Sequence, residues 1–238
     1  MSVKTQNVKE FFDVTEHYLA KRYDVSLRAD IVRDMVGDLQ HARVLDIGCG
    51  DGSISLQYAT PTNQLVLVDL SANMLRLAQR RTPPHVRSNV QYVNADLMTF
   101  RPADQFDLVL CIGVLAHVAS IEATVRIVAQ FLKPGGQCVF QITDNDTPAG
   151  KLFNAYYRGR DRRKGRPYQL NILGRDRLLT YAADHGLMLV NECRYLPPLP
   201  GMGRLPDPWL YQFERLTRRS QAFLPAGSEL LALFRKRG

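Results

Sequence analysis

The stretch VLDIGCGDG at residues 44–52 limits what this chain can fold into more than any other feature, because a run of buried-type residues ends on glycine at every second position. Val44, Leu45 and Ile47 have the character of a short strand with apolar cover on both faces. Gly48, Gly50 and Gly52 then remove every side chain where the chain must turn, which permits positive φ and close approach of a ligand to the backbone. The stretch is therefore either a tight structural turn or the floor of a cofactor site.

Its surroundings have a regular rhythm. Strand-like runs at 44–48, 64–70, 90–97, 106–113 and 137–143 alternate with helical patterns at 53–59, 71–81 and 120–132. Ser71 is placed to cap the second of these helices, and LKPGG (132–136) to stop the third. Such an order predicts an α/β fold, a doubly wound and mostly parallel sheet with helices on both faces. After residue 143 the rhythm breaks into a long basic and aromatic insertion (144–171). A helix (174–186), a sixth strand (187–196), a proline- and glycine-rich loop (197–208), an amphipathic helix (209–219) and a final strand within 228–238 complete the reading.

In a parallel sheet of this kind ligands bind at the carboxyl ends of the strands, and the loop after the first strand is the usual place. The glycines here are spaced G-x-G-x-G, not the G-x-G-x-x-G of dinucleotide sites. Asp69, ending the second strand, suits ribose hydroxyls in either case, and also suits a simple cap for the helix at Ser71.

With VLDIGCGDG (44–52), LVDLSANML (67–75), NADL (94–97), FDLVLCIGVLAHV (106–118) and LKPGG (132–136) in this order and spacing, the chain resembles the class I S-adenosylmethionine-dependent methyltransferases over about residues 40–143. The resemblance implies a Rossmann-like, seven-stranded sheet with an antiparallel last strand, S-adenosyl-L-methionine as cofactor and S-adenosyl-L-homocysteine as product. It implies that the backbone around Gly48, Cys49 and Gly50 lies along the methionine part and that Asp46 holds the amino group. It implies that Asp69 takes the ribose hydroxyls, Leu70 and Met74 flank the adenine, Asp96 accepts from the adenine amino group beside Leu97, and Cys111 faces the methionine chain. Met74 reads equally well as core, and Cys49 and Cys111 as passive packers, since neither has a base nearby in sequence.

His117 follows the fourth strand, where an acceptor should approach, and is the candidate to orient or deprotonate an acceptor hydroxyl; packing or capping is its alternative role. The family often has an acid before this histidine, and Ala116 stands there instead. The chain reads as a single domain (1–238): an N-terminal helical lid (1–40), a cofactor core (41–143), and substrate-cap insertions at 144–171 and 197–227. Candidate acceptor contacts are Tyr18 in the lid and Tyr156, Tyr157 and Arg158 in the first cap, while 158–166 also reads as a solvated loop. Trp209 reads as a packing anchor.

Charge narrows the partner. Of the net +8, residues 151–238 hold 17 Lys/Arg against 7 Asp/Glu, whereas residues 1–150 hold 14 against 16. A basic C-terminal third on a near-neutral scaffold predicts an anionic acceptor, with peripheral membrane contact also in view. No Asn/Asp-Pro-Pro-aromatic sequence follows the fourth strand, which argues against methylation of exocyclic amines on DNA bases. The favoured acceptor is the hydroxyl (or amine) of a small or lipid-linked metabolite. The alternatives are an RNA methyltransferase with a basic cap and a non-catalytic cofactor-binding regulator or partner subunit. Four scattered cysteines without CxxC pairs and a polar N-terminus predict reduced thiols, no metal site and a cytoplasmic location.

Overall fold

In the computed structural model, which describes residues 3–13, 22–164, 170–195 and 228–238 together with Trp209 and Gln212, the VLDI run forms strand β1 (Arg43–Ile47). Val44, Leu45 and Ile47 are all buried, as cover on both faces requires. β1 pairs in parallel with β2 (Gln64–Asp69) on one side and β4 (Phe106–Cys111) on the other. β3 (Val90–Asn94) and β5 (Leu132–Thr143) extend the two sides, again in parallel. β7 (Glu229–Lys236) runs antiparallel to both its neighbours, between β5 and β6 (Leu187–Tyr195), and the order is β3-β2-β1-β4-β5-β7-β6. This is the sheet expected from the sequence.

Six helices accompany it among the described residues: α1 (Val3–Asp13), α2 (Arg22–Val36), α3 (Ala72–Arg81), α4 (Ile121–Phe131), α5 (Pro148–Lys164) and α6 (Arg175–Asp184). Strand side chains alternate between two cores. Leu45, Ile47, Val109 and Phe140 join Val125, Val128 and Phe131 of α4 on one face. Val44, Leu108, Leu110 and Val139 join Leu27, Ile31 and Val32 of α2 on the other. α3 and α4 both begin on serine caps, Ser71 and Ser120 accepting from the N–H groups of Met74 and Ala123 (3.3 and 3.2 Å). The strand order reverses between β1 and β4, so the crevice that can take a ligand opens beyond their carboxyl ends.

Three local expectations are corrected. The helix predicted at 53–59 is one 3-10 turn, Ser55–Tyr58. Asp51 explains it: its Oδ1 accepts from both the N–H and the hydroxyl of Ser53 (3.2 and 2.6 Å), a side-chain turn that competes with helix initiation. The LKPGG segment ends α4 as expected but belongs to β5, where the register against β4 slips between Phe106 and Leu108. A Cβ on Gly136 would stand 2.9 Å from the Phe106 carbonyl oxygen, so only glycine lets the strand pass. Trp209, expected to anchor the cap by packing, is 68% exposed; the remainder of the helix predicted at 209–219, Gln212 apart, lies outside the described residues. No helix among the described residues is long and apolar enough to cross a membrane.

The end of β5 is tied down by Asp144, which is fully buried. Its carboxylate accepts from the N–H groups of Asp146 and Arg175 (3.0 and 2.9 Å) and pairs with Arg194 (2.6 Å), joining β5, α6 and β6. Burial alone would raise the Asp144 pKa, but the two N–H groups and the Arg194 guanidinium outweigh it and the net shift is downward. Asp144→Ala should therefore cost about 3–5 kcal/mol in urea unfolding at neutral pH, by leaving Arg194 unpaired. Because a lowered acid stabilises only while ionised, the difference between wild type and variant should shrink as pH falls below about 4.

Candidate active site

Gly48, Gly50 and Gly52 all have positive φ (67°, 55° and 74°), a conformation that explains why side chains are missing at every second position. The N–H groups of Gly48 and Cys49 both donate to the Val68 carbonyl at the end of β2 (2.8 and 3.1 Å). Asp69 completes the arrangement: Gly50 N–H donates to its Oδ2 (2.9 Å) and Ser71 N–H to its Oδ1 (2.8 Å). One carboxylate thus holds the glycine loop on one side and the start of α3 on the other. Both readings of Asp69 are therefore compatible, since a carboxylate offers about four lone-pair sites and two are used here.

The loop is strongly acidic. Asp46 is buried beneath it, and burial pushes its pKa up to about 7, opposed by the adjacent Ser55 hydroxyl and reinforced by Asp69 and Asp51. Burial also raises Asp69, against the N–H groups of Ser71 and Gly50, and the Asp13 carboxylate adds to the rise. Asp51 is buried and neutralised by Arg81. Such a place favours a ligand that brings positive charge. Around it, Leu70 is half-buried at the tip of β2, Met74 is buried within α3, and Leu97 is buried in the core beyond β3. Asp96 accepts the Met98 N–H through Oδ1 (2.9 Å), which shapes its own turn. Cys49 and Cys111 are buried free thiols whose pKa values burial drives upward, so neither is a nucleophile.

His117 sits past the end of β4, with its N–H donated to the Val114 carbonyl (2.8 Å). The rings of Phe12, from α1, and His117 meet at right angles, 5.3 Å between centroids and 89° between planes. α1 also reaches the cofactor side, where the Ser71 hydroxyl donates to Asp13 Oδ1 (2.6 Å) and Asn73 to the Asp13 carbonyl (2.9 Å). α1 therefore touches both banks of the crevice. Of the expected acceptor residues, Tyr156 and Arg158 lie exposed on α5, Tyr157 is within α5 but its side chain is not described, and Tyr18 lies outside the described residues.

Two groups of residues escaped the sequence reading. Asn171 clamps the loop that carries His117: its N–H donates to the Ala116 carbonyl (2.8 Å), its amide to the Leu115 and Val118 carbonyls (3.0 and 2.7 Å), and its Oδ1 accepts from Lys4 (2.8 Å). Nothing near it in sequence announces this. At the carboxyl ends of β5 and β6 and the amino end of β7, Gln141 accepts from Arg28 (3.3 Å) and donates to Tyr195 (3.0 Å) and Glu229 (2.8 Å), while Thr143 donates to Glu229 (2.7 Å). The signal there was Gln141 itself, a polar residue in an otherwise buried strand.

A methyltransferase domain profile matches residues 44–136, which span the loop and strands β1 to β4. The chain is 34% identical over 128 residues to a ubiquinone biosynthesis O-methyltransferase of Bordetella avium, an alignment covering about half of each protein (53%). It is 32% identical over 190 residues to the enzyme of that name from Xanthomonas euvesicatoria, covering 77% of this chain and 74% of that one. The chain belongs to the class I S-adenosylmethionine-dependent methyltransferases. The fold of this methyltransferase is shared by the magnesium protoporphyrin IX methyltransferase of Synechocystis with bound S-adenosylhomocysteine (TM-score 0.65, 13% identity, 98% of this chain and 99% of that one). It is also shared by the [4+2]-cyclase SpnF (TM-score 0.64, 16% identity, 98% and 97%), so fold alone does not decide the chemistry.

The residues of this methyltransferase fit its family's cofactor. S-adenosylmethionine carries an ammonium and a sulfonium, and the glycine loop concentrates carboxylates beside a backbone bare of side chains. If the ammonium of the cofactor lies beside Asp46, it stabilises the ionised form, and binding should drive a proton off. S-adenosylhomocysteine should bind more weakly below pH 7, by up to about tenfold per pH unit. Calorimetry in buffers of different ionisation enthalpy should show close to one proton released at pH 6 and almost none at pH 8.5, and Asp46→Asn should abolish that difference.

Proposed function

We propose that this methyltransferase methylates a hydroxyl of a small or lipid-linked metabolite, a phenolic quinone precursor being the acceptor class that suits it best. The observation that carries the reading is His117 at the exit of β4, held against Phe12 of the lid and on a loop clamped by Asn171. The names of the relatives support the same chemistry.

In this reading the backbone of Gly48, Cys49 and Gly50 carries the methionine part of the cofactor, with Cys111 alongside. Asp46 holds its amino group and Asp69 its ribose, while Leu70 and Met74 flank the adenine and Asp96 accepts from its amino group. When bound, S-adenosylmethionine supplies a methyl group made electrophilic by the sulfonium. The protein's share is positioning and proton removal. α1 covers the crevice and excludes water, and His117 Nδ1 or Nε2 takes the hydroxyl proton. Ala116 leaves that role to the histidine without a neighbouring acid. The lid (1–40) and the caps (144–171 and 197–227) shape the acceptor pocket, with Tyr18, Tyr156, Tyr157 and Arg158 as its contacts.

A lipid-linked acceptor also accounts for the surface of α5. Leu152 of α5 is 71% exposed, next to exposed Lys151. That combination of apolar and basic groups suits peripheral contact with an anionic membrane from the cytoplasmic side.

The test is methyl transfer from labelled S-adenosylmethionine to a catechol acceptor and to a lipid extract, with total RNA as a third fraction. Label should enter the phenolic fraction; label in RNA, or in no fraction, would favour the RNA-directed or the non-catalytic alternative. His117→Ala should lower kcat by about a hundredfold or more with S-adenosylhomocysteine affinity unchanged. Turnover equal to wild type across pH 6–9 would remove His117 from the base role.

A further inference from the structure

Residues 71–95 contain Arg76, Arg80, Arg81 and Arg87 and not one aspartate or glutamate. Three of these arginines come together in space. Arg76, Gln79 and Arg80 on α3, Arg87 on the 3-10 turn that follows it, and Tyr92 on β3 line an open groove of about 370 Å³ at the β3 edge of the sheet. Arg81, one residue further along α3, turns away to Asp51 and the glycine loop.

The three guanidiniums of the groove have no acidic partner among the described residues. Arg76 donates to the Asn73 side chain and Arg87 to the Thr82 carbonyl (3.4 Å), and both acceptors are neutral. Arg80 makes no hydrogen bond or ion pair there. Favourable interaction with the carboxyl end of a helix accounts for Arg80 and Arg81. It does not account for Arg76 in the middle of α3, nor for Arg87 beyond its end. Side chains of like charge around one concavity repel each other, and a polyvalent anion is what relieves that repulsion.

We propose that this groove is a binding site for a phosphate-bearing ligand, distinct from the site of methyl transfer. The donor set favours phosphate. Each arginine offers up to five N–H groups in a planar fork that matches phosphate oxygens, and several cations match more than one negative charge. The Gln79 amide adds a neutral donor, and the Tyr92 ring supplies one wall, its hydroxyl already engaged with Thr82. The ligand is a free phosphorylated metabolite or the headgroup of an anionic lipid, and the two sources share this chemistry.

The decisive experiment titrates the full-length protein with inorganic pyrophosphate in a calorimeter, sodium chloride holding ionic strength constant. A second arm measures flotation with phosphatidylglycerol and phosphatidylcholine vesicles. Saturable binding of pyrophosphate with a Kd near or below about 1 mM is expected. Arg80→Gln should weaken it several-fold, and the combined Arg76→Gln, Arg80→Gln, Arg87→Gln variant at least tenfold. S-adenosylhomocysteine affinity serves as the folding control and should not move; should the triple variant lose it, Arg80→Gln, which breaks no internal bond, carries the test. Phosphatidylglycerol-dependent flotation lost in the variants would assign the ligand to a lipid headgroup, and pyrophosphate binding alone to a soluble phosphate. Binding of neither probe, or pyrophosphate binding that survives the replacements, overturns the proposal.

Discussion

The carboxylate of Asp69 is the point to which the rest of the site is referred. Its two oxygens hold the glycine loop and the first turn of α3 at a fixed separation, through Gly50 N–H and Ser71 N–H. The loop can be bare because this bridge, with the Val68 carbonyl, supplies the order that side chains would otherwise supply. A loop so held needs little rearrangement to receive a ligand, which is the condition for binding without a large ordering cost.

That order is bought with electrostatic strain. Asp46, Asp51 and Asp69 stand close enough for Asp46 to feel both of the others, and among the described residues only Asp51 has an arginine as partner. α1 adds Asp13 to the same neighbourhood, where it bonds to Ser71 and Asn73. The glycine loop thus has an acidic interior, and α1 is tied to the same field through Asp13. At the other bank the same helix places Phe12 against His117, and Lys4 reaches Asn171 behind it.

What the sequence revealed and what it concealed divide along physical lines. The glycine loop was legible because a positive φ at Gly48, Gly50 and Gly52 leaves almost no other residue type open at those positions. The sheet was legible because strands covered on both faces read as apolar runs, and α3 and α4 because their serine caps sit where the apolar period begins. The 53–59 helix was misread because a single side chain, Asp51, redirects the backbone at Ser53, and the apolar period carries no trace of that competition. Asn171 was invisible for a different reason. Its amide acts on carbonyls 53 and 56 residues earlier in the chain, a relation that only the folded protein creates.

The position of β7 has a consequence for how the chain is made. Residues 229–236 fill the gap between β5 and β6, and the only ladders that join β6 to the rest of the described sheet run through them. While the ribosome is still translating, the nascent protein can assemble β1 to β5 and the crevice beyond β1 and β4, yet β6 has no strand to pair with until residues 229–236 emerge. Over that interval the exposed edge of β5 is open to pairing with other polypeptides.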